Sequence, residues 1–319
     1  MQISFLKKYQ PIFFKEFIIE KLYIDLLKTL IKMNNLNILV IGDHGSGKSS
    51  LLSAIINEYY KNVNKDSIKD NILSINNLKE QGIQYYRNEL KTFCQTKSLI
   101  LNKKKIIILD DIDIINEQSQ QVFRNCIDKY SHNVHFISSC LNTQKVIDSI
   151  QSRSIIIKLK PFDKQTLYKI SKKIVIKEQI DIDNESIDFI INISNNSLRQ
   201  IINYLEKLKI LNKKITIKES RTLCSNISFC EFEKYTYLWF EKKNVKDAVK
   251  TIFEIYDKGY SVMDILDCYF SYIKISNKID ECFKYKIIKI ICKFITIFHN
   301  VHENPVELVL LTNELSKIK

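Results

Sequence analysis

The 319-residue chain is long enough for two or three domains that each bury a core. Its 49 Lys and Arg against 36 Asp and Glu give a formal charge of +13, which favours a polyanionic partner, although AT-rich coding would also produce this Lys-rich and Asn-rich composition. The 8 cysteines show neither C-x-x-C spacing nor an accompanying histidine pair, so we expect no zinc site and no disulfide scaffold, as in an intracellular protein. The longest apolar stretch, 287–298, is interrupted by lysines, so we expect no membrane span, and we also expect no signal peptide.

Short apolar runs alternate with helical patterns through the first half of the chain, which predicts a parallel α/β sheet. After Pro161 the strand patterns stop and amphipathic helical spacing takes over. The predicted strands are 37–41, 71–75, 105–109, 134–138 and 154–159. The predicted helices of the second half are 164–177, 185–193, 197–211 and a long helical region from residue 231 onward. We expect an α/β core over 1–160, a small helical domain over 161–227 and an all-helical C-terminal domain over 228–319.

A glycine-rich loop directly follows the first predicted strand. Its spacing, G-x-x-x-x-G-K-[ST], lets backbone N–H groups surround a polyphosphate, places Lys48 at the β- and γ-phosphates and offers the Ser49 hydroxyl to Mg²⁺. Apolar residues at helical spacing follow, so the loop should lead into a helix whose N-terminus faces the phosphates. The predicted nucleotide-binding residues are Gly42, Asp43, His44, Gly45, Ser46, Gly47, Lys48, Ser49 and Ser50.

The predicted strand 105–109 ends in the acidic sequence D-D-x-D. Beside a phosphate loop, Asp110 would hold Mg²⁺ directly or through water, together with Ser49. Asp111 would then lie where a base or a water-orienting group is needed. Taken alone, this sequence is more typical of a strand that ends in a solvated acidic turn, and it is the upstream loop that favours the functional interpretation.

Two further polar residues follow later strands. Asn142, just past the strand 134–138, could hydrogen-bond the γ-phosphate or the attacking water, although an Asn in this position is more often a turn residue. Arg153 precedes the last predicted strand in the sequence S-R.

Together these features resemble the AAA+ ATPases, and narrower segments resemble the small subunits of the replication factor C type of sliding-clamp loader. The resemblance extends from the N-terminus to about residue 270. It implies a five-stranded parallel AAA+ core, a small helical lid and an all-α collar. The segments that carry it are 5–11, 75–83, 120–124 with 130–131, 147–154 and 196–200, which resemble W-x-x-K-Y-R-P, N-A-S-D-x-R-G-I, Q-Q-A-L-R-R…Y-S, I-I-E-P-I-Q-S-R-C and G-D-M-R-x.

The resemblance also implies roles for three arginines. Arg153 would be an arginine finger that reaches the γ-phosphate held by a neighbouring subunit, and Arg124 could play a second role in trans. Arg199 would be the lid-domain sensor that contacts the γ-phosphate in cis. Without the family pattern, each is an ordinary surface cation.

A DNA-binding helix is implied by the segment 82–91, which lines up with the family's G-I-D-V-V-R-N-K-I-K helix. Helical spacing places residues 84, 87, 88 and 91 on one face, with Leu90 among those packing inward. Arg87 and Lys91 could therefore reach DNA phosphates, or simply form a solvated face. The following segment, 96–101, is where family members touch the clamp, and it could equally be a buried helix end.

Several positions depart from the family pattern. Asp111 replaces a glutamate and is one methylene shorter, which could weaken water activation while Mg²⁺ and ATP binding remain. Asp43 and His44 replace Pro-Pro, Ser154 replaces a cysteine, and Asn195 or Asn196 stands in place of a glycine before Arg199.

Our hypothesis from the sequence is an ATP- and Mg²⁺-dependent ATPase subunit of a hetero-oligomeric, pentameric clamp loader that opens a ring clamp and loads it onto primer-template DNA. The alternatives are a non-catalytic ATP-binding architectural subunit, or another AAA+ helicase or remodeller. The expected location is the site of DNA replication, in the nucleus or at a viral cytoplasmic site. In the predicted collar, a helix–Gly–helix pattern surrounds Gly259, and the apolar residues of 287–298 could serve helix packing or subunit contacts.

Overall fold

The computed structural model describes residues 4–18, 20–61, 63–75, 83–211, 213–224, 227–276, 279–298 and 301–318. The chain divides into two compact units. The first extends to Thr166 and includes Ser197–Gln200, and the second comprises Leu167–Asn196 and the chain from Ile201 onward. The finer division of the second unit into lid and collar stays a prediction.

The first unit contains a parallel sheet, which in the described ranges has five strands in the order β2-β3-β4-β1-β5. The five predicted strands are confirmed, and only β4 differs by more than one residue at an end, because it continues to Cys140. The strands are β1 (Ile38–Ile41), β2 (Ile72–Ile75), β3 (Lys105–Leu109), β4 (Val134–Cys140) and β5 (Ile155–Lys158).

Both faces of this sheet are covered, which explains why β1 and β3 are nearly continuous apolar runs. Successive side chains of β1 point to opposite faces: Leu39 packs with Ile107 and Phe136 in one core cluster, whereas Ile38 and Val40 pack in the other. The helices of the first unit are α1 (Phe5–Lys8), α2 (Lys21–Lys32), α3 (Lys48–Tyr59), α4 (Lys65–Lys69), α5 (Ile83–Gln95), α6 (Glu117–Tyr130) and α7 (Asp148–Gln151).

Helices dominate the rest of the chain, and the three helices predicted between residues 164 and 211 are confirmed. One feature was not predicted: Ile182 and Ile215 form an isolated parallel bridge, because the segment after α8 runs beside the one that precedes α11. The helices are α8 (Lys164–Glu178), α9 (Asn184–Ile193), α10 (Leu198–Ile210), α11 (Ile217–Leu223), α12 (Phe229–Thr236), α13 (Val245–Tyr256), α14 (Val262–Ile275), α15 (Glu281–Ile297) and α16 (Val306–Ser316).

The second unit has its own aromatic core, in which buried polar tips find partners. Trp239 Nε1 donates to the Tyr269 hydroxyl at 3.0 Å, and the Tyr235 hydroxyl lies 2.8 Å from Thr312 Oγ1. The predicted helix–Gly–helix is confirmed, with Gly259 at φ 93° between α13 and α14. Three apolar residues of α15, Ile287, Ile291 and Phe294, are buried in this core, so they serve helix packing within the chain. None of the helices described is long and apolar enough to cross a bilayer.

Candidate nucleotide-binding site

The glycine-rich loop joins the end of β1 to the start of α3, as predicted. Gly45 and Gly47 have φ angles of +76° and +93°, a conformation that L side chains rarely adopt. A Cβ atom on Gly45 would in addition collide with the Ser197 side chain, which belongs to the same unit. Backbone geometry and space therefore both require glycine at position 45.

Lys48 lies inside this loop with only 7% of its surface exposed. Its ammonium donates to the carbonyl oxygens of Gly42 at 2.8 Å and Asp43 at 3.1 Å. Burial lowers the pKa of Lys48, while Asp111 and Asp110 oppose that shift. The buried Ser46 hydroxyl makes no hydrogen bond within the described part of the chain. A concentrated positive charge and an unsatisfied polar group under a glycine-rich backbone fit a polyphosphate ligand.

A hydrogen-bonded chain connects the loop with the ends of β3 and β4. Ser49 Oγ donates to Asp110 Oδ2 at 2.8 Å, and Ser139 Oγ donates to Asp110 Oδ1. Ser139 Oγ also accepts from the backbone N–H of Asp111 at 3.0 Å. The structure thus brings together the two predicted metal-side residues, Ser49 and Asp110.

Ser139 was missed by the sequence analysis. It lies in β4, where Leu109 pairs with Ser138, so Ser139 is level with Asp110 just beyond the end of β3. The signal that could have found it is a pair of serines at the carboxyl end of a central strand.

Asp111 has a left-handed backbone, with φ and ψ both 55°, which is uncommon for a residue other than glycine. Burial raises the pKa of the Asp111 carboxyl, the nearby Asp110 raises it further, and Lys48 opposes the shift. Asp113, the last acidic residue of the motif, accepts from the backbone N–H groups of Leu141 and Asn142, each at 3.2 Å. Asp113 therefore ties the acidic turn to the end of β4.

Asn142 takes up the turn geometry that the sequence left as an alternative. Its Oδ1 accepts from the backbone N–H of Gln144 at 2.9 Å and so caps the short 3-10 turn Thr143–Lys145. The side chain is exposed. A role at the γ-phosphate stays a prediction.

The two arginines with predicted roles in trans share one carboxylate. Arg153 Nε donates to Asp128 Oδ1 at 2.5 Å, and Arg124 Nε lies 3.5 Å from Asp128 Oδ2. Asp128 did not enter the sequence analysis, although Arg124 and Asp128 are four residues apart on α6, the spacing that brings side chains together on a helix.

Arg199 is exposed in the segment Ser197–Gln200, which belongs to the same unit as the phosphate loop. The preceding Asn195 and Asn196 have φ angles of 47° and 61°. Both positions thus adopt the backbone geometry that glycine adopts without strain, in keeping with the expected glycine there.

Helix α5 contains the predicted DNA-binding residues. Lys91 is exposed and Leu90 is fully buried, in agreement with the predicted faces. The side chain of Arg87 and residues 76–82 lie outside the described residues. The C-terminal end of α5 is anchored by buried Lys105, which was not predicted: its Nζ donates to Phe93 O at 3.3 Å and to Thr96 Oγ1.

Segment 96–101 is not a buried helix end, and that alternative was wrong. Helix α5 ends at Gln95, and Leu99 is 72% exposed in the irregular connection that follows. Contact with a clamp stays a prediction for this segment.

Comparison with known proteins places this site in a family. The model for the AAA family, ATPases associated with various cellular activities, matches residues 38–161, and the model for the replication factor C C-terminal domain matches 235–295. The replication factor C small subunit of Methanococcus vannielii is 29% identical over 267 residues, 83% of this chain and 84% of that protein. That of Picrophilus torridus is 31% identical over 64% of this chain and 63% of that protein.

A solved structure supports the fold. The RuvB Holliday junction branch migration motor of Thermotoga maritima aligns with a TM-score of 0.52 at 13% identity, over 74% of this chain and 80% of that chain. The AAA family implies ATPase activity and nucleotide binding with a divalent metal. The chain therefore combines an AAA ATPase domain with a replication factor C C-terminal domain, is similar to replication factor C small subunits over most of its length, and is an ATPase subunit of a clamp loader in DNA replication.

Proposed function

We propose that the chain binds ATP and Mg²⁺ in the loop 42–50 and hydrolyses the ATP to open a ring clamp and load it onto primer-template DNA. The observation that carries this proposal is the bridge made by Asp110, which accepts from Ser49 on one side and from Ser139 on the other. The bridge holds a carboxylate and a hydroxyl next to each other at the mouth of the phosphate loop. Mg²⁺ prefers such oxygen ligands, and when bound it would offset charge on the β- and γ-phosphates.

Lys48 supports nucleotide binding because it is already held inside the loop. Its two bonds to loop carbonyls keep the ammonium where the β- and γ-phosphates would lie. The N–H groups at the start of α3 add the partial positive charge of a helix N-terminus.

Asp111 is the proposed base that orients and activates the attacking water. Its raised pKa makes the carboxylate a stronger proton acceptor than an ordinary Asp, and its N–H bond to Ser139 fixes the backbone from which the side chain extends. Asn142, just past the end of β4, is the proposed polar contact to the water or the γ-phosphate.

Arginines complete the proposed composite site. Arg199 would contact the γ-phosphate in cis, whereas Arg153 and Arg124 would reach the phosphates held by a neighbouring subunit. A site assembled in this way works only in a hetero-oligomer, for which the family resemblance implies five subunits.

The proposed DNA contact is the exposed face of α5. Lys91 is exposed on that face, and the predicted partner in phosphate binding is Arg87. Copies of such a helix in neighbouring subunits would follow a duplex by its phosphates, so that recognition depends on shape and charge and not on base sequence. The exposed apolar residues of 96–101 are the proposed contact with the ring clamp.

The decisive experiment uses the assembly that co-purifies with the tagged chain. ATP turnover that is stimulated by primed DNA and a ring clamp, and that is lost in Lys48→Ala and in Arg153→Ala, supports clamp loading. Strand unwinding without any clamp dependence would instead point to a helicase or remodeller. For the DNA contact, Arg87→Ala/Lys91→Ala should weaken binding and reduce its salt dependence; an unchanged affinity and salt slope would reject that face.

One observation favours a second candidate, an architectural subunit that binds ATP without turning it over. Asp111 is one methylene shorter than the glutamate of the family pattern, so its carboxylate reaches less far toward the water. If turnover of the assembly is unchanged by Lys48→Ala and Asp111→Asn in this chain, the architectural role is the correct one.

A further inference from the structure

Asp128 lies at a position where one carboxylate contacts two arginines from different elements of the first unit. Arg124 is on the same helix, α6, and Arg153 follows α7 just before β5. The Asp128 Oδ1 atom accepts from Arg153 Nε at 2.5 Å, and the Oδ2 atom lies 3.5 Å from Arg124 Nε. Each carboxylate oxygen is thus assigned to a different guanidinium group.

A backbone carbonyl group also binds the Arg153 side chain. Arg153 Nη1 donates to the carbonyl oxygen of Ser149 at 2.8 Å, within the short helix α7. A guanidinium group has five N–H donors in a rigid plane, and these bonds use donors on Nε and Nη1. Nη2 makes no hydrogen bond within the described part of the chain, so its two donors remain to contact an incoming phosphate oxygen.

Charge explains why a carboxylate is needed at this point. Two guanidinium groups near each other repel, and a partly exposed surface weakens that repulsion without removing it. A shared anion offsets it and restricts both side chains. The pKa of the Asp128 carboxyl is lowered mainly by the hydrogen bond from Arg153, so the carboxylate stays charged at neutral pH.

We propose that Asp128 is a positioning residue that holds Arg153 and Arg124 as an arranged pair, so that both reach the phosphates bound by a neighbouring subunit. The inference rests on the trans roles given to these arginines under the proposed function. Asp128 itself touches no substrate. It acts by reducing the number of conformations that the arginines must give up when subunits meet.

The first test measures the pairing in the isolated chain. In ¹⁵N spectra of arginine side chains, the Arg153 Nε–H signal, assigned with Arg153→Lys, should exchange slowly with solvent. Asp128→Asn should shift that signal and speed its exchange, because a charged acceptor becomes neutral. Glu117→Gln removes one negative charge from the first turn of the same helix and serves as the matched control. An Arg153 signal that is identical in Asp128→Asn and the wild type overturns the proposal.

The second test measures ATP turnover of the co-purified assembly. Asp128→Asn should lower kcat about 10-fold with KM for ATP unchanged, because misplacement of an orienting group by about 1 Å can cost up to 100-fold. Asp128→Glu, which restores a carboxylate, should recover most of the loss. Asp128→Asn added to Arg124→Ala/Arg153→Ala should cause no further loss, because a positioning residue has no effect once both of its targets are gone.

The outcomes separate this inference from the proposed function. If Arg124→Ala/Arg153→Ala slows turnover and the addition of Asp128→Asn slows it further, Asp128 acts by another route and the inference is wrong. If Arg153→Ala leaves turnover unchanged, the trans role of Arg153 is wrong, and the catalytic part of this inference fails with it.

Discussion

Ser139 Oγ donates a hydrogen bond to Asp110 Oδ1 and thereby holds the proposed metal-side carboxylate from β4, the strand next to its own. The same hydroxyl oxygen accepts from the backbone N–H of Asp111. One serine therefore orients two consecutive acidic residues with different proposed tasks.

Ser139→Ala is expected to lower ATP turnover of the assembly about 10-fold while nucleotide affinity changes by less than about 3-fold, because the loop is intact and only the orientation of the carboxylates is lost. Steady-state turnover and titration with a fluorescent ATP analogue measure the two effects. The matched control is Ser138→Ala, one residue earlier in β4, whose hydroxyl donates to Ile38 O at 3.2 Å. Equal losses in both variants would mean that β4 packing, and not Asp110, is affected.

Asp111 should give the enzyme an acid limb in its pH–rate profile. A base must be deprotonated, and burial raises the pKa of Asp111 above its ordinary 3.8, so kcat should fall as pH drops toward a midpoint above 3.8. Asp111→Asn should lower kcat at least about 100-fold and leave nucleotide binding intact. Asp111→Glu, with its longer reach, should retain activity. Full turnover in Asp111→Asn would exclude Asp111 as the base.

Gly45→Ala should weaken nucleotide binding about 10-fold or more, because a residue at positive φ costs about 1 kcal/mol and the new methyl group also meets Ser197. Gly259→Ala is a matched control, since Gly259 also has a positive φ, +93°, but no atom of the described residues lies within 4 Å of a built Cβ, and Gly259 belongs to the other unit. That variant should lose stability without losing affinity. Unchanged nucleotide affinity in Gly45→Ala would show that the loop can rearrange.

His135 should make the first unit sensitive to acid. It is buried, its Nδ1 accepts from Leu36 N–H at 3.3 Å, and its Nε2 lies 3.0 Å from Asn34 Oδ1, so the ring is neutral with the proton on Nε2. Burial, with the charges of Lys104 and Lys103, lowers its pKa from 6.5 to about 3.

Because the folded pKa lies below the unfolded one, the unfolded state binds more protons between pH 6.5 and 3, and stability falls as pH falls through that window. The free energy of unfolding should decrease by about 2 kcal/mol between pH 7 and pH 5. Urea denaturation of the full chain at both pH values measures it. In His135→Gln this decrease in the free energy of unfolding should disappear. An unchanged pH dependence of stability in that variant would refute the assignment of the effect to His135.

Lys91 and Lys105 should affect DNA binding in different ways. Lys91→Ala removes an exposed charge and should reduce the salt slope of DNA binding by about 1. Lys105→Met removes the buried anchor of the α5 C-terminus and should weaken binding with the salt slope unchanged, because Lys105 contacts Phe93 O and Thr96 and is 5% exposed. Binding of primed DNA by the assembly at several salt concentrations distinguishes them, and a reduced slope in Lys105→Met would contradict the anchoring role.

The sequence by itself determined the sheet and the loop. The strand patterns predicted the five strands of the described sheet because parallel strands buried on both faces are apolar along most of their length, as in β1 and β3. The spacing from Gly42 to Ser49 was sufficient to place Lys48 and Ser49, since a phosphate loop is defined by local backbone geometry.

Only the tertiary structure decided which distant residues complete the site. Ser139 meets Asp110 through strand pairing over 29 residues of sequence, and Asp128 meets Arg153 across 25 residues, separations at which no local periodicity reports a contact. The same limit explains Lys105, whose burial beneath the end of α5 follows from the packing of that helix and not from its neighbours in sequence. Local patterns thus predict the elements, whereas the orientation of charged side chains depends on how those elements pack.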